Sequence, residues 1–158
     1  MSEYHVRSIR KKELGKLLDL YKHLFEKADA PLPPDEQLVQ LWDQITANPL
    51  LHYFVGEIDG QIVSSCTMAI IPNLTRGARP YGLVENVVTH RDHRKRGYGT
   101  QVLQHALQVA WDHDCYKVML LTGRKDEATL RFYERAGFKL GVKTGFIAYP
   151  EMSLMRSI

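Results

Sequence analysis

Apolar positions recur along this chain with two periods, and each change of period marks an element. Residues 4–9 alternate weakly and predict a short strand. Over residues 11–25 the spacing becomes that of an amphipathic helix, with Leu14, Leu17, Leu18, Tyr21, Leu24 and Phe25 on one stripe. Ala30-Pro-Leu-Pro-Pro reads as a loop, and Pro34, Asp35 and Glu36 suit a first helical turn. Leu38, Leu41, Trp42 and Ile45 continue that helix's apolar face until Asn48-Pro49 stops it. Residues 51–58 and 61–71 read as strands joined by a tight hairpin at Asp59-Gly60. A polar loop follows over 72–80, carrying Arg76 and Arg79, and then a buried apolar strand over 83–88. Residues 100–113 predict a helix with Leu103, Ala106, Leu107 and Ala110 facing inward, and residues 116–122 a buried strand. A short helix over 126–136 ends at Gly137, a C-cap position. Residues 138–149 predict one or two further strands, broken near Gly141 or Gly145.

This order predicts an α/β or α+β fold with one sheet covered by helices. The helix over 100–113 separates two strands as in a βαβ crossover, so those strands should be parallel. A length of 158 residues suits a full core, and with no repeat or linker the whole of 1–158 reads as a single domain. The formal charge of +3 is small and makes no case for nucleic acid. No run is long and apolar enough to span a membrane, and the opening residues lack a signal peptide's apolar stretch. The two cysteines, Cys66 and Cys115, lie far apart, which predicts free thiols and a cytoplasmic setting.

The chemistry gathers in residues 82–100. An apolar strand runs into a basic loop from His90 to Arg96, then Gly97-Tyr98-Gly99 and a helix. That arrangement aims unpartnered backbone N–H groups at an anion such as a diphosphate. A dinucleotide fingerprint needs a third glycine where Val102 stands, and no Walker loop is present. What remains is Arg94-x-x-Gly97-x-Gly99 behind Val87-Val88. His90 and His93 have a spacing that could serve a metal, but the surrounding Lys and Arg oppose a cation, so no metal is expected. Glu85 and Asn86 interrupt the apolar strand and need partners or water. Glu85 is a candidate general base and Asn86 a candidate substrate contact, unless one of them simply faces solvent.

The Arg94–Gly99 block resembles the acetyl-CoA motif of the GNAT (GCN5-related N-acetyltransferase) superfamily. A second block agrees: Asp126-Glu-Ala-Thr-Leu-Arg-Phe-Tyr-Glu-Arg-Ala-Gly-Phe138 is similar to that family's late helix. Val84-Glu-Asn-Val-Val and Asp114-Cys-Tyr-Lys-Val-Met-Leu120 are similar to segments of glucosamine-6-phosphate N-acetyltransferases, which commonly have Glu-Asp at Glu85-Asn86. The resemblance implies a mixed, mostly antiparallel sheet with helices on both faces and a central parallel strand pair. It implies acetyl-CoA as co-substrate, its diphosphate held by the Arg96–Thr100 amides (Arg96, Gly97, Tyr98, Gly99, Thr100) and by charge from Arg91, Arg94, Lys95 or Arg96. The main chain of Val87 and Val88 would pair with the pantetheine arm, and one N–H would face the thioester carbonyl. Tyr133 would protonate the departing thiolate. Asp126 stands where the family usually has an Asn on the pantetheine arm.

On the acceptor side, Arg76, Arg79 and His52 could meet an anionic group. The expected activity is acetyl transfer to a primary amine of a small molecule by direct attack in a ternary complex. A non-catalytic acyl-CoA sensor, a protein or peptide acetyltransferase, and a nucleic-acid or protein-binding module using the basic loop are the alternatives. A homodimer packed through Tyr149 and a C-terminal strand is compatible with the resemblance.

Overall fold

The computed structural model describes residues 2–150. A five-stranded sheet in the order β1-β2-β3-β4-β5 is its frame. The strands are β1 (His5–Ser8), β2 (Leu51–Ile58), β3 (Gln61–Ile71), β4 (Tyr81–Thr89) and β5 (Val118–Leu120). The first four pair antiparallel, and β4 and β5 are parallel, as the crossover through a helix requires. The helices are α1 (Leu14–Tyr21), α2 (Asp35–Ala47), the one-turn α3 (Thr75–Ala78), α4 (Tyr98–Asp112) and α5 (Glu127–Ala136).

Strand residues alternate between faces, and two cores result. On one face Phe54, Cys66, Met68 and Val84 meet Val102, Leu103, Ala106 and Ala110 of α4 and Ala136 of α5. On the other face Val55, Ile62 and Val88 meet Leu20 of α1. Helices therefore cover both faces, as expected. α2 joins the α1 face through Trp42, whose ring meets Tyr53 edge-on at 5.5 Å and whose indole N–H donates to the Lys11 carbonyl at 2.7 Å. An ion-pair network pins β1 to the start of α1. The buried Glu13 carboxylate accepts two bonds of 2.8 Å from Arg7, which also binds Glu57, and a third of 2.8 Å from the Arg10 amide.

Several expectations shift. The first helix is shorter than 11–25: a 3₁₀ turn occupies Lys11–Glu13, α1 ends at Tyr21, and Phe25 is exposed. Its most buried residues are Leu17 and Leu20, and Leu41 of α2 points to solvent. α4 begins at Tyr98, two residues before the expected start, and β5 has three residues where seven were expected. No strand forms within residues 138–150. Leu140, Val142, Phe146 and Ile147 of that segment are exposed, and Gly141 turns it with φ +78°. A strand needs a ladder partner, and the segment adds no ladder to β5. The parallel pair consequently sits at the edge of the described sheet rather than at its centre.

Candidate active site

One irregularity in β4 builds the site. The β3–β4 register runs from Ser65↔Val88 to Thr67↔Glu85, so Cys66 faces two residues, Asn86 and Val87. This is a β-bulge, and Asn86 makes it by adopting φ +52°. Asn tolerates that left-handed conformation better than most residues. The bulge inverts the facing of everything after it. Val84 lies in the α4-side core, whereas Val88, four residues on, lies in the α1-side core. Without a bulge, an even spacing would keep both on one face. Glu85 and Asn86 are both exposed at the bend.

The β4–β5 ladder stops at the same place. Its pairs are Gly82↔Val118, Leu83↔Met119 and Val84↔Leu120, with none beyond. From Glu85 onward the edge of β4 toward β5 carries no strand. Its main-chain groups line a groove that could receive an extended chain by strand-like pairing. Val87, half-buried against the α4-side core, forms part of this stretch.

The groove leads to the N-terminus of α4. The helix has Gly97 as N-cap with φ +81°, so no side chain satisfies the first-turn amides of Tyr98, Gly99 and Thr100. A Cβ on Gly97 would meet nothing within 4 Å, so the space above it is open. Gly99 serves differently. A Cβ there would lie 3.0 Å from the Phe132 ring and 3.1 Å from Thr89 Oγ1, so its absence lets α4 pack against α5 and the end of β4. Lys95, at φ +61°, helps turn the loop. Lys95 and Arg96 make no hydrogen bond or ion pair among the described residues and are free to meet an anion. Arg94 is engaged: its guanidinium donates to the Thr89 carbonyl at 3.1 Å and to the His23 carbonyl at 3.0 Å. Arg91 donates to His23 Nδ1 at 3.2 Å, and the His23 and His90 rings lie 4.0 Å apart. The basic loop is thereby clamped to the turn after α1. Sequence reading missed His23, because the contact joins residues 68 apart with no motif around either.

Tyr133 comes to the groove from α5. Burial raises the pKa of its phenol, the nearby Glu85 carboxylate raises it further, and Arg124 opposes both. Asp126 caps α5, its Oδ2 accepting from the Thr129 amide at 3.0 Å and the Thr129 hydroxyl at 2.8 Å. The Thr129 hydroxyl chiefly holds this carboxylate below its ordinary pKa.

Two of the residues expected on the acceptor side, Arg79 and His52, are engaged in other contacts. Arg79 ties the loop before β4 to the turn after α4, through Asp114 Oδ1 at 3.1 Å and the Cys115 carbonyl at 3.4 Å. His52 packs between Phe54 and His113 and lies two strands from Val84, through Met68. Burial, and then His113, lowers its pKa. No group of His, Cys, Asp and Glu suited to a metal occurs among the described residues.

A mixed sheet opened along β4, with a glycine-ended helix at the opening, defines an acyltransferase fold. The sequence profile of the Acetyltransferase (GNAT) family matches residues 14–138. The chain belongs to that family, and the protein is an N-acetyltransferase. A glucosamine 6-phosphate N-acetyltransferase of Trypanosoma brucei brucei is 30% identical over 138 residues, covering 87% of this chain and 90% of the relative. A solved structure from Agrobacterium tumefaciens str. C58, assigned as an acetyltransferase, is 43% identical. It superposes with a TM-score of 0.85 over 92% of this chain and 99% of its own. The aminoglycoside N-acetyltransferase AAC(6')-Iy, solved with CoA, shares the fold at TM-score 0.74 and 18% identity, covering 97% of both chains.

Proposed function

We propose that the protein, acting as one domain, transfers the acetyl group of acetyl-CoA to a primary amine of a small molecule by direct attack in a ternary complex. The observation that carries this reading is the parting of β4 from β5 past Val84↔Leu120, with Glu85 and Tyr133 beside the opening. The residues present fit the donor. The Tyr98, Gly99 and Thr100 amides, with Lys95 and Arg96, suit a diphosphate, and the open edge of β4 suits the pantetheine arm. Amides near Val87 and Val88 would meet negative charge developing on the thioester oxygen.

Glu85 takes the proton of the attacking ammonium. Its exposure supports transfer through a water. Tyr133 delivers a proton, or a hydrogen bond, to the departing sulfur, and its raised pKa keeps it protonated at neutral pH. Asn86, turned outward by the bulge, contacts the acceptor. The named activity of the trypanosomal relative favours an amino sugar phosphate among acceptors. Arg79 would have to leave Asp114 to serve it. The exposed apolar residues of 140–149 support a homodimer that covers them. Two separate buried thiols, Cys66 and Cys115, support a cytoplasmic setting.

The test is an acetyl-CoA consumption assay over glucosamine 6-phosphate, polyamines, amino acids and peptides. Turnover with a small amine is expected. CoA binding with no turnover on any amine would make the protein a sensor, and turnover on peptides alone would move the substrate class.

A further inference from the structure

We propose that Tyr4 is a positioning residue for the donor site: its hydroxyl fixes the first peptide of α4 so that the Gly99 N–H faces the anion. The inference rests on the diphosphate reading above. Arg91 and Arg94 clamp the loop before this turn to His23, but no side chain of the loop caps the first peptide of α4. Gly97 has no side chain to offer, and both Lys95 and Gly97 sit at positive φ. A hold on that peptide comes from the N-terminal segment.

The Tyr4 ring stacks on the Tyr98 ring at 4.1 Å and 12°. Its hydroxyl donates to the Tyr98 carbonyl at 2.9 Å and lies 2.7 Å from Ser64 Oγ, so Ser64 can donate to it in turn. A carbonyl has two lone pairs and can accept this bond beside its helical one. The peptide unit is planar and trans, so fixing the Tyr98 C=O also fixes the Gly99 N–H, pointing the opposite way. In a helix that way is out of the N-terminus.

The scaffold is shaped around the phenol. A Cβ on Gly56 would lie 2.0 Å from the Tyr4 hydroxyl and 2.3 Å from Ser64 Oγ. β2 therefore carries no side chain where the phenol crosses to α4. Burial pushes the Tyr4 phenol up to about 12, so it stays a neutral donor across the working pH range.

Tyr4→Phe keeps the stacked ring and removes only the hydroxyl. CoA affinity is measured by titration calorimetry, and kcat and KM for acetyl-CoA are measured with the best amine. The expected result is a Kd and KM raised roughly 5-fold, the worth of one hydrogen bond, with kcat within about twofold. Gly56→Ala should move both constants the same way by displacing the phenol, and a melting curve checks that it folds. Unchanged Kd and KM in Tyr4→Phe, while the wild type binds CoA, would overturn the role of Tyr4 and leave the proposed function standing. A fall in kcat and Tm with no change in Kd would reduce Tyr4 to a structural residue. Absence of CoA binding by the wild type would overturn both.

Discussion

The two halves of β4 differ in pairing and in exposure. From Gly82 to Val84 the strand is paired on both edges, with β3 on one side and β5 on the other. Arg79, just before it, is tied to Asp114 and Cys115. From Glu85 to Thr89 the same strand is bulged, keeps one neighbour, and exposes a Glu and an Asn. The first half is held on both sides by ladder pairing. The second has spare main-chain groups and ionisable side chains in one place. The proposed chemistry falls where regular pairing stops, beside a half of the strand that is paired on both edges.

The most damaging change to the open half is Glu85→Gln. It should lower kcat by about 10²–10⁴ while leaving CoA affinity unchanged, with pre-steady-state and calorimetric measurements as the check. Gly97→Glu puts a strained residue and a negative charge at the helix end. CoA binding should weaken about 100-fold with the circular dichroism spectrum intact.

Tyr133→Phe should slow turnover roughly 10- to 100-fold with little change in Kd, as expected for a lost hydrogen bond to a charged group. With its pKa raised above the ordinary 10.0, the wild-type phenol stays protonated through neutral pH, and any loss of kcat from its ionisation should lie above pH 10. A pH–rate profile that is identical in Tyr133→Phe would remove the acid role.

Far from β4, Glu13→Gln tests the scaffold alone. Arg7 holds the Glu13 carboxyl at about 2 against an ordinary 4.5. A depressed folded-state pKa means that this stabilisation is full above pH 4.5 and is lost as pH falls toward 2. The variant should lose ~2–3 kcal/mol of stability at pH 7. The difference in Tm from wild type should shrink below pH 4.5, with kcat unaffected.

Arg79→Ala in the paired half should do least. Its ion pair with Asp114 is exposed and worth about 0–1 kcal/mol, and KM for the amine should not move. A tenfold rise in KM for glucosamine 6-phosphate would instead show that Arg79 leaves Asp114 to hold the phosphate.

Much of this was legible in the order of residues. Hydrophobic period, the Asp59-Gly60 turn and the crossover rule together located the hairpin of β2 and β3, the crossover helix and the parallel pair. Gly97 and Gly99 marked the turn into α4, because a positive φ and a close helix approach both exclude larger side chains there. Gly137 marked the end of α5 for the same conformational reason. The strands expected over 138–149 failed because period describes a segment's own preference, while a strand exists only with a neighbour. The pair Glu85-Asn86 read as polar residues interrupting a buried strand, with solvent exposure of one of them as the alternative, and both are exposed at the bulge.

The chain's own sequence therefore determined which segments coil, which extend, and where the backbone must turn through conformations that only glycine adopts freely. These depend on neighbours a few residues away. Tertiary structure alone decided that β4 changes face at Asn86, that it parts from β5 after Val84, and that the Tyr133 phenol comes within electrostatic reach of Glu85. It alone decided that His23 and Tyr4 would clamp a loop 68 and 94 residues distant. Such contacts are selected by packing and by the geometry of pairing, which no local pattern encodes.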